Sequence, residues 1–170
     1  MKRHSSDRRA RGFTLVELMM SVAIIGLLSS VAIPELSRAT LRTRAAERIT
    51  VMEAISRAVN DTVAQQQAIP GGTWTGIANP PGAPGTTKRP FDWTRPGWTR
   101  LPMIVEGGSY YSYSFVADDP TLDGRNVTLS VTGDGDLDGD GVHSIRTLTF
   151  TGVGYSFAQD PEPFLDPNVF

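Results

Sequence analysis

The sequence predicts an α+β fold, with one long N-terminal helix packed on an antiparallel sheet of three to four strands. Three observations carry this. Residues 13–33 hold a single charge, residues 35–67 hold neither Gly nor Pro, and from residue 111 onward apolar residues alternate with Ser and Thr. The first two patterns are helical and the third has the period of two that places alternate side chains on opposite faces of a sheet.

The elements follow in chain order. Residues 1–12 are a polar leader in which Lys2, Arg3, Arg8, Arg9 and Arg11 outweigh Asp7. The apolar run from Phe13 to Ile33 would span roughly 30 Å as a helix, about the thickness of a bilayer core. A basic segment ahead of such a run places the N-terminus in the cytoplasm. Glu17 is the one charge in the run, and a carboxylate there needs a partner. The helix is expected to continue over 35–69, with Ala39, Ala45, Ile49, Met52, Ser56, Val59 and Val63 as its apolar stripe. Ile69-Pro70-Gly71-Gly72 stops it. Residues 70–102, rich in Pro and Gly, read as a long connecting loop. Within it Lys88, Arg89, Arg95 and Arg100 interleave with Phe91, Trp93 and Trp98, either as a ligand patch or, as we favour, as a loop pinned to the sheet by its aromatics. Residues 103–170 supply the strands, around 111–115, 127–132 and 147–150, with a further one at 155–157 and an extended Pro-rich tail.

The chain of 170 residues has no Cys, so a disulfide scaffold, a thiol nucleophile and a thiolate zinc site are all excluded. His4 and His143 are its only histidines, and no nucleophile elbow or phosphate loop is present. A net charge of -2 gives no reason to expect a nucleic-acid partner. That average conceals a basic leader and an acidic end, since Asp118 to Phe170 holds only Arg125 and Arg146 against its carboxylates.

The densest acidity is the segment 133–141, GDGDLDGDG. Asp134, Asp136 and Asp138 match the first three ligand positions of a D-x-D-x-D-G calcium loop, with Gly139 at its glycine and Asp140 beside it. Ile145 stands where a bidentate Glu would complete the loop, so Asp118, Asp119 or Asp123 would have to supply the missing oxygens. The alternative is a hydrated Asp-Gly hairpin turn, and both readings stay open.

Arg11-Gly12-Phe13-Thr14-Leu15-Val16-Glu17-Leu18, followed by the apolar run, Gly26 and Pro34, resembles the N-terminus of type IV prepilins and type II secretion pseudopilins. The resemblance implies a pilin-like fold and a structural subunit, not an enzyme. It implies cleavage between Gly12 and Phe13 by prepilin peptidase, where a residue without a side chain lets the backbone enter a protease cleft, and N-methylation of Phe13. It implies that Glu17 pairs with the Phe13 amine of a neighbouring subunit, and that Gly26 and Pro34 bracket a weak stretch of helix. The implied partners are copies of itself or other pilin-like subunits, the peptidase, an inner-membrane assembly platform, and membrane lipid before assembly. The implied location is the inner membrane with the C-terminal domain in the periplasm, then a pilus or pseudopilus. The resemblance also implies that a calcium ion here would be structural, as it commonly is in pseudopilins. The rival expectation is a signal-anchored calcium- or carbohydrate-binding module that never polymerises.

Overall fold

The computed structural model describes residues 12–160. Helix α1 runs over Leu15–Gln66, a 3-10 turn follows at Pro70–Gly72, and five strands complete the chain: β1 Thr73–Asn79, β2 Ser112–Asp118, β3 Val127–Gly135, β4 Ser144–Val153 and β5 Ser156–Gln159. The strands form one sheet in chain order, every neighbouring pair antiparallel. This is the expected α+β class, with five strands in place of three to four. Residues 1–11 of the leader and the tail from Pro161 lie outside the described residues. Two compact units divide at Ala39/Thr40, so the helix belongs to the first unit up to Ala39 and to the second, with the sheet, from Thr40.

The additional strand is β1, inside the segment read as loop. Its inward positions are Trp74, Gly76 and Asn79, so the apolar alternation fails after Trp74. Gly76 is there because the Phe115 ring fills its side-chain space; a Cβ would lie 2.1 Å from Cε1 of that ring. The rest of the loop seals β1, an edge strand. Ile77 N–H donates to Pro96 O at 3.4 Å, and Trp98 Nε1–H donates to Ile77 O at 2.6 Å. Trp74 Nε1–H donates to Gly97 O at 3.0 Å, and Asn79 exchanges hydrogen bonds with the Asp92 backbone. Covering an edge in this way removes a template for unwanted strand pairing. Trp98 is buried, its ring edge-on to Phe115 at 5.4 Å, while Phe91 stacks on Tyr113 at 5.9 Å. Trp98 is therefore core, and Phe91 and Trp93 pack against it half-buried, as expected of a pinned loop.

From Thr40 onward α1 buries one face. Val51, Met52, Ile55, Ala58, Val59 and Val63 join Phe115, Leu129, Val131 and Leu148 in a single core. The stripe is rotated from the expected one: Ala39 is exposed and Ile49 only half-buried, whereas Val51, Ile55 and Ala58 take inward positions. The rotation follows from Arg48, which a polarity pattern assigns to solvent but which is buried. Its Nη1 donates to Ser144 O at 3.0 Å and Oγ at 2.7 Å, and its guanidinium lies 5.0 Å from the centre of the Tyr111 ring. Helix and sheet approach closely at Gly133, where a Cβ would meet Met52 Sδ at 2.9 Å and Arg48 Cγ at 3.0 Å. A second polar tie joins the helix to the loop: Glu47 accepts from Lys88 Nζ at 2.6 Å and from Ser109 Oγ at 2.6 Å, and Ser109 meets the Tyr113 hydroxyl at 3.1 Å.

Gly133→Val should therefore wedge helix from sheet and cost on the order of 1–3 kcal/mol, read as a lower denaturation midpoint of the full chain in detergent. Burial raises the pKa of the Tyr111 and Tyr113 phenols above the ordinary tyrosine value. The unfolded chain thus loses these protons first, so stability is complete below about pH 10 and falls as pH rises further. Tyr111→Phe, which deletes a buried hydroxyl without a hydrogen-bond partner, should raise the alkaline unfolding midpoint without loss of stability at pH 7.

Candidate functional site

Two places concentrate the residues singled out by the sequence. The first is the start of α1. Thr14 is the N-cap and Glu17 the third helical residue, and they satisfy each other. Glu17 N–H donates to Thr14 Oγ1 at 3.2 Å, while Thr14 N–H and Oγ1–H both donate to Glu17 Oε2 at 2.9 Å. This is a capping box, which satisfies backbone donors that would otherwise be orphaned at a helix start. The negative carboxylate also faces the positive end of the helix dipole. Among the described residues, then, the partner of Glu17 is Thr14. Sequence reasoning passed over this residue, although T-x-x-E before an apolar run is its signature. Gly12 and Phe13 precede the helix, and Phe13 is 83% exposed.

Behind this cap every large apolar side chain from Leu15 to Leu36 is exposed, on all sides of the helix. Such a helix is long and apolar enough to cross a membrane. Two of its serines are turned onto its own backbone: Ser21 Oγ donates to Glu17 O at 2.8 Å and Ser30 Oγ to Leu27 O at 2.7 Å. Gly26 and Pro34 both lie inside the unbroken helix. Pro34 has no N–H to offer the preceding turn, and Ser37 Oγ donates to Ile33 O at 3.2 Å beside it. At Gly26 nothing lies within 4 Å of where a Cβ would be, so the notch is open.

The second place is the loop between β3 and β4. Asp136, Asp138 and Asp140 each bring an oxygen within 4.8 Å of the others. Asp136 is 7% exposed and organises the turn, its Oδ1 accepting from Gly139 N at 2.8 Å and its Oδ2 from Gly141 N at 3.2 Å. Asp134, the first expected ligand, stands apart from this group on β3 and meets His143 Nδ1 at 2.9 Å. The remote carboxylates do not complete the set. Asp118 pairs with Thr128 at the opposite end of β3 from Asp134. Asp119 accepts from Gly124 N and the Tyr155 hydroxyl, and Asp123 holds Arg125. Ile145, at the position of the missing Glu, is exposed on β4. The three clustered groups are hard oxygen donors that suit calcium, but a cation with six to eight ligands would need water or backbone oxygens for the remainder.

Thr14→Val should fray the first turn by about 1 kcal/mol, seen as faster amide exchange at Glu17 in micelles. Asp136→Ala should release the Gly139 and Gly141 amides to fast exchange while the β3–β4 ladder keeps its protection.

Residues 7–33 match the family described as the prokaryotic N-terminal methylation motif. The chain is 38% identical over 72 residues to the type IV major pilin protein PilE1 of Neisseria gonorrhoeae, 42% of this chain and 44% of that one. It is 47% identical over 47 residues to the type IV major pilin protein PilA of Myxococcus xanthus, 28% of this chain and 21% of that one. Against the type IV major fimbrial protein FimA of Dichelobacter nodosus it is 29% identical over 121 residues, 71% of this chain and 64% of that one. The match spans less than half the length of PilE1. No solved structure matches. With the methylation motif at its N-terminus, one long helix behind it and an antiparallel sheet after that, the chain is similar to the type IV pilins it matches.

Proposed function

We propose that the protein is a structural subunit that polymerises through its N-terminal helix into a type IV pilus or a type II secretion pseudopilus. The observation that carries this reading is the helix surface from Phe13 to Leu36, whose large apolar side chains are all exposed among the described residues. Lipid can cover it before assembly, and the same segment of other subunits can cover it afterwards. Lipid chains are as apolar as Leu, so leaving the bilayer must be offset by close helix packing and by polar contacts. The open notch at Gly26 admits close packing, and Glu17 is the polar contact. In the single chain Glu17 is held by neutral donors of Thr14. A positive amine would be a stronger partner for it in an apolar setting.

In this reading residues 1–12 are a leader that prepilin peptidase removes on the cytoplasmic side of the inner membrane. Phe13 is then N-methylated, and its amine pairs with Glu17 of a neighbour. Residues 13–34 are the membrane and assembly segment, and Gly26 and Pro34 its weak stretch. Residues 35–69 continue the helix onto the sheet of a periplasmic domain. An assembly platform in the inner membrane draws the subunit out of lipid. Mass spectrometry of the membrane fraction should find a chain beginning at methylated Phe13. A chain retaining Met1–Gly12 would instead support a signal-anchored module that never polymerises. Glu17→Gln should leave the subunit folded and in the membrane but cut filament yield at least tenfold by electron microscopy. Filaments in normal amount would remove the pairing from the mechanism.

A second site reading rests on the clustered carboxylates of Asp136, Asp138 and Asp140. We infer that they hold a structural calcium ion completed by water, with Asp134 contributing charge from β3. Calorimetric titration of the full chain with calcium should give heat and a raised melting temperature, both lost in the double variant Asp138→Asn, Asp140→Asn. No heat would leave the loop a hydrated turn.

A further inference from the structure

The sequence contains two Asn-X-Thr triplets among the described residues, Asn60-Asp61-Thr62 and Asn126-Val127-Thr128, and the fold separates them. In the first, Asn60 lies within α1 and Thr62 is 7% exposed, its hydroxyl donating to Ala58 O at 2.8 Å. That hydroxyl is spent inside the helix and faces the core. In the second, Asn126 stands just ahead of β3, and Thr128 is the second residue of that strand. Alternation along the strand buries Val127 and exposes both Asn126 and Thr128. The two side chains that define the triplet therefore share one solvent face, with the residue between them anchored in the core. They open onto a shallow cleft of about 310 Å³ that Thr151 and Val153 also line.

The turn leading to Asn126 is fixed by other groups. Asp119 accepts from Gly124 N at 3.1 Å, Asp123 accepts from Arg125 N at 2.9 Å, and Gly154 N–H donates to Gly124 O at 2.8 Å. Replacing a hydrogen of the Asn126 amide by a bulky polar group would disturb none of these contacts. An Asn with Thr two residues on, on an exposed turn, is the acceptor pattern for N-linked saccharide.

We propose that Asn126 is a glycosylation site, and Thr128 the hydroxyl that qualifies it. The donor is a saccharide linked through diphosphate to a lipid. The Asn126 Nδ2 forms a bond to the anomeric carbon of the sugar, and the bond from that carbon to the diphosphate oxygen breaks. The lipid diphosphate leaves with the electron pair, and the amide gives up one proton. No electrons are transferred to or from either partner. The proposal rests on the reading above in one respect, that the sheet unit faces a compartment outside the cytoplasm. A glycan there would add a hydrated shield beside the β3–β4 end of the sheet and leave α1 untouched.

The test is peptide mass spectrometry on the full-length protein recovered from the membrane and filament fractions of the cells that make it. The peptide spanning 126–146 should carry a saccharide mass, whereas the peptide containing Asn60 should be bare. The added mass should vanish in Asn126→Gln and in Thr128→Val, and persist in Thr128→Ser. An unmodified 126–146 peptide in the wild-type protein would overturn the proposal, as would an added mass that survives Asn126→Gln. The N-terminal peptide of the same digest reports the earlier reading separately. A chain starting at Phe13 with a bare Asn126 defeats the glycan alone. A chain that keeps Met1 yet carries the saccharide defeats the processing and supports the acceptor.

Discussion

An apolar helix left exposed among the described residues is the constraint on which the rest of this molecule depends. From Phe13 to Leu36 the side chains that would form the core of an ordinary helical protein are open to the surroundings. Water is not a stable environment for such a surface, because each buried aliphatic or aromatic side chain is worth roughly 1.5–3 kcal/mol against exposure. Its environment must come from lipid or from other chains. The few polar groups in the segment conform to this. Ser21 and Ser30 spend their hydroxyls on carbonyls of their own helix, and Glu17 is closed into a box with Thr14.

The second unit solves the opposite problem. Its half of α1 must find a core within the chain, and the five-stranded meander supplies one. Close approach decides the geometry more than hydrophobicity alone. Gly133 lets β3 meet Met52 and Arg48, and Gly76 leaves room for Phe115 against Trp74. The buried charge of Arg48 is tolerated because Ser144 accepts two hydrogen bonds from it and the Tyr111 ring faces its cation. Burial still weakens its hold on the proton, so its pKa lies below the ordinary arginine value. Arg48 also links the helix to the residue that follows the acidic loop.

Much of this was legible in the residues. Two periodicities, 3.6 and 2, placed the helix and four of the strands, and a break in the second hid β1. There an inward Gly stands where an apolar residue would be expected, because a neighbouring ring already occupies its space. The acidic run offered four candidate ligands, with Asp134, Asp136 and Asp138 at the first three loop positions. Folding put Asp134 on β3 beside His143 and gathered the other three in the loop. Asp118, Asp119 and Asp123 are near in sequence to the second strand but were drawn to the far end of the sheet.

The sequence by itself determined the N-terminal pattern: Gly12 followed by Phe13, the lone acid Glu17, the long apolar run, and Gly26 and Pro34 within the helix. These are local facts, since a helix is set by residues three and four apart and its hydropathy by its own composition. Only the tertiary structure decided the rest. It rotated the inward face of α1 to include Arg48, turned part of a Pro-rich loop into an edge strand sealed by Trp98, and separated an exposed Asn126-Val127-Thr128 from a buried Thr62. Each of these depends on which distant side chain fills a given space, and that is not encoded within any short stretch of chain.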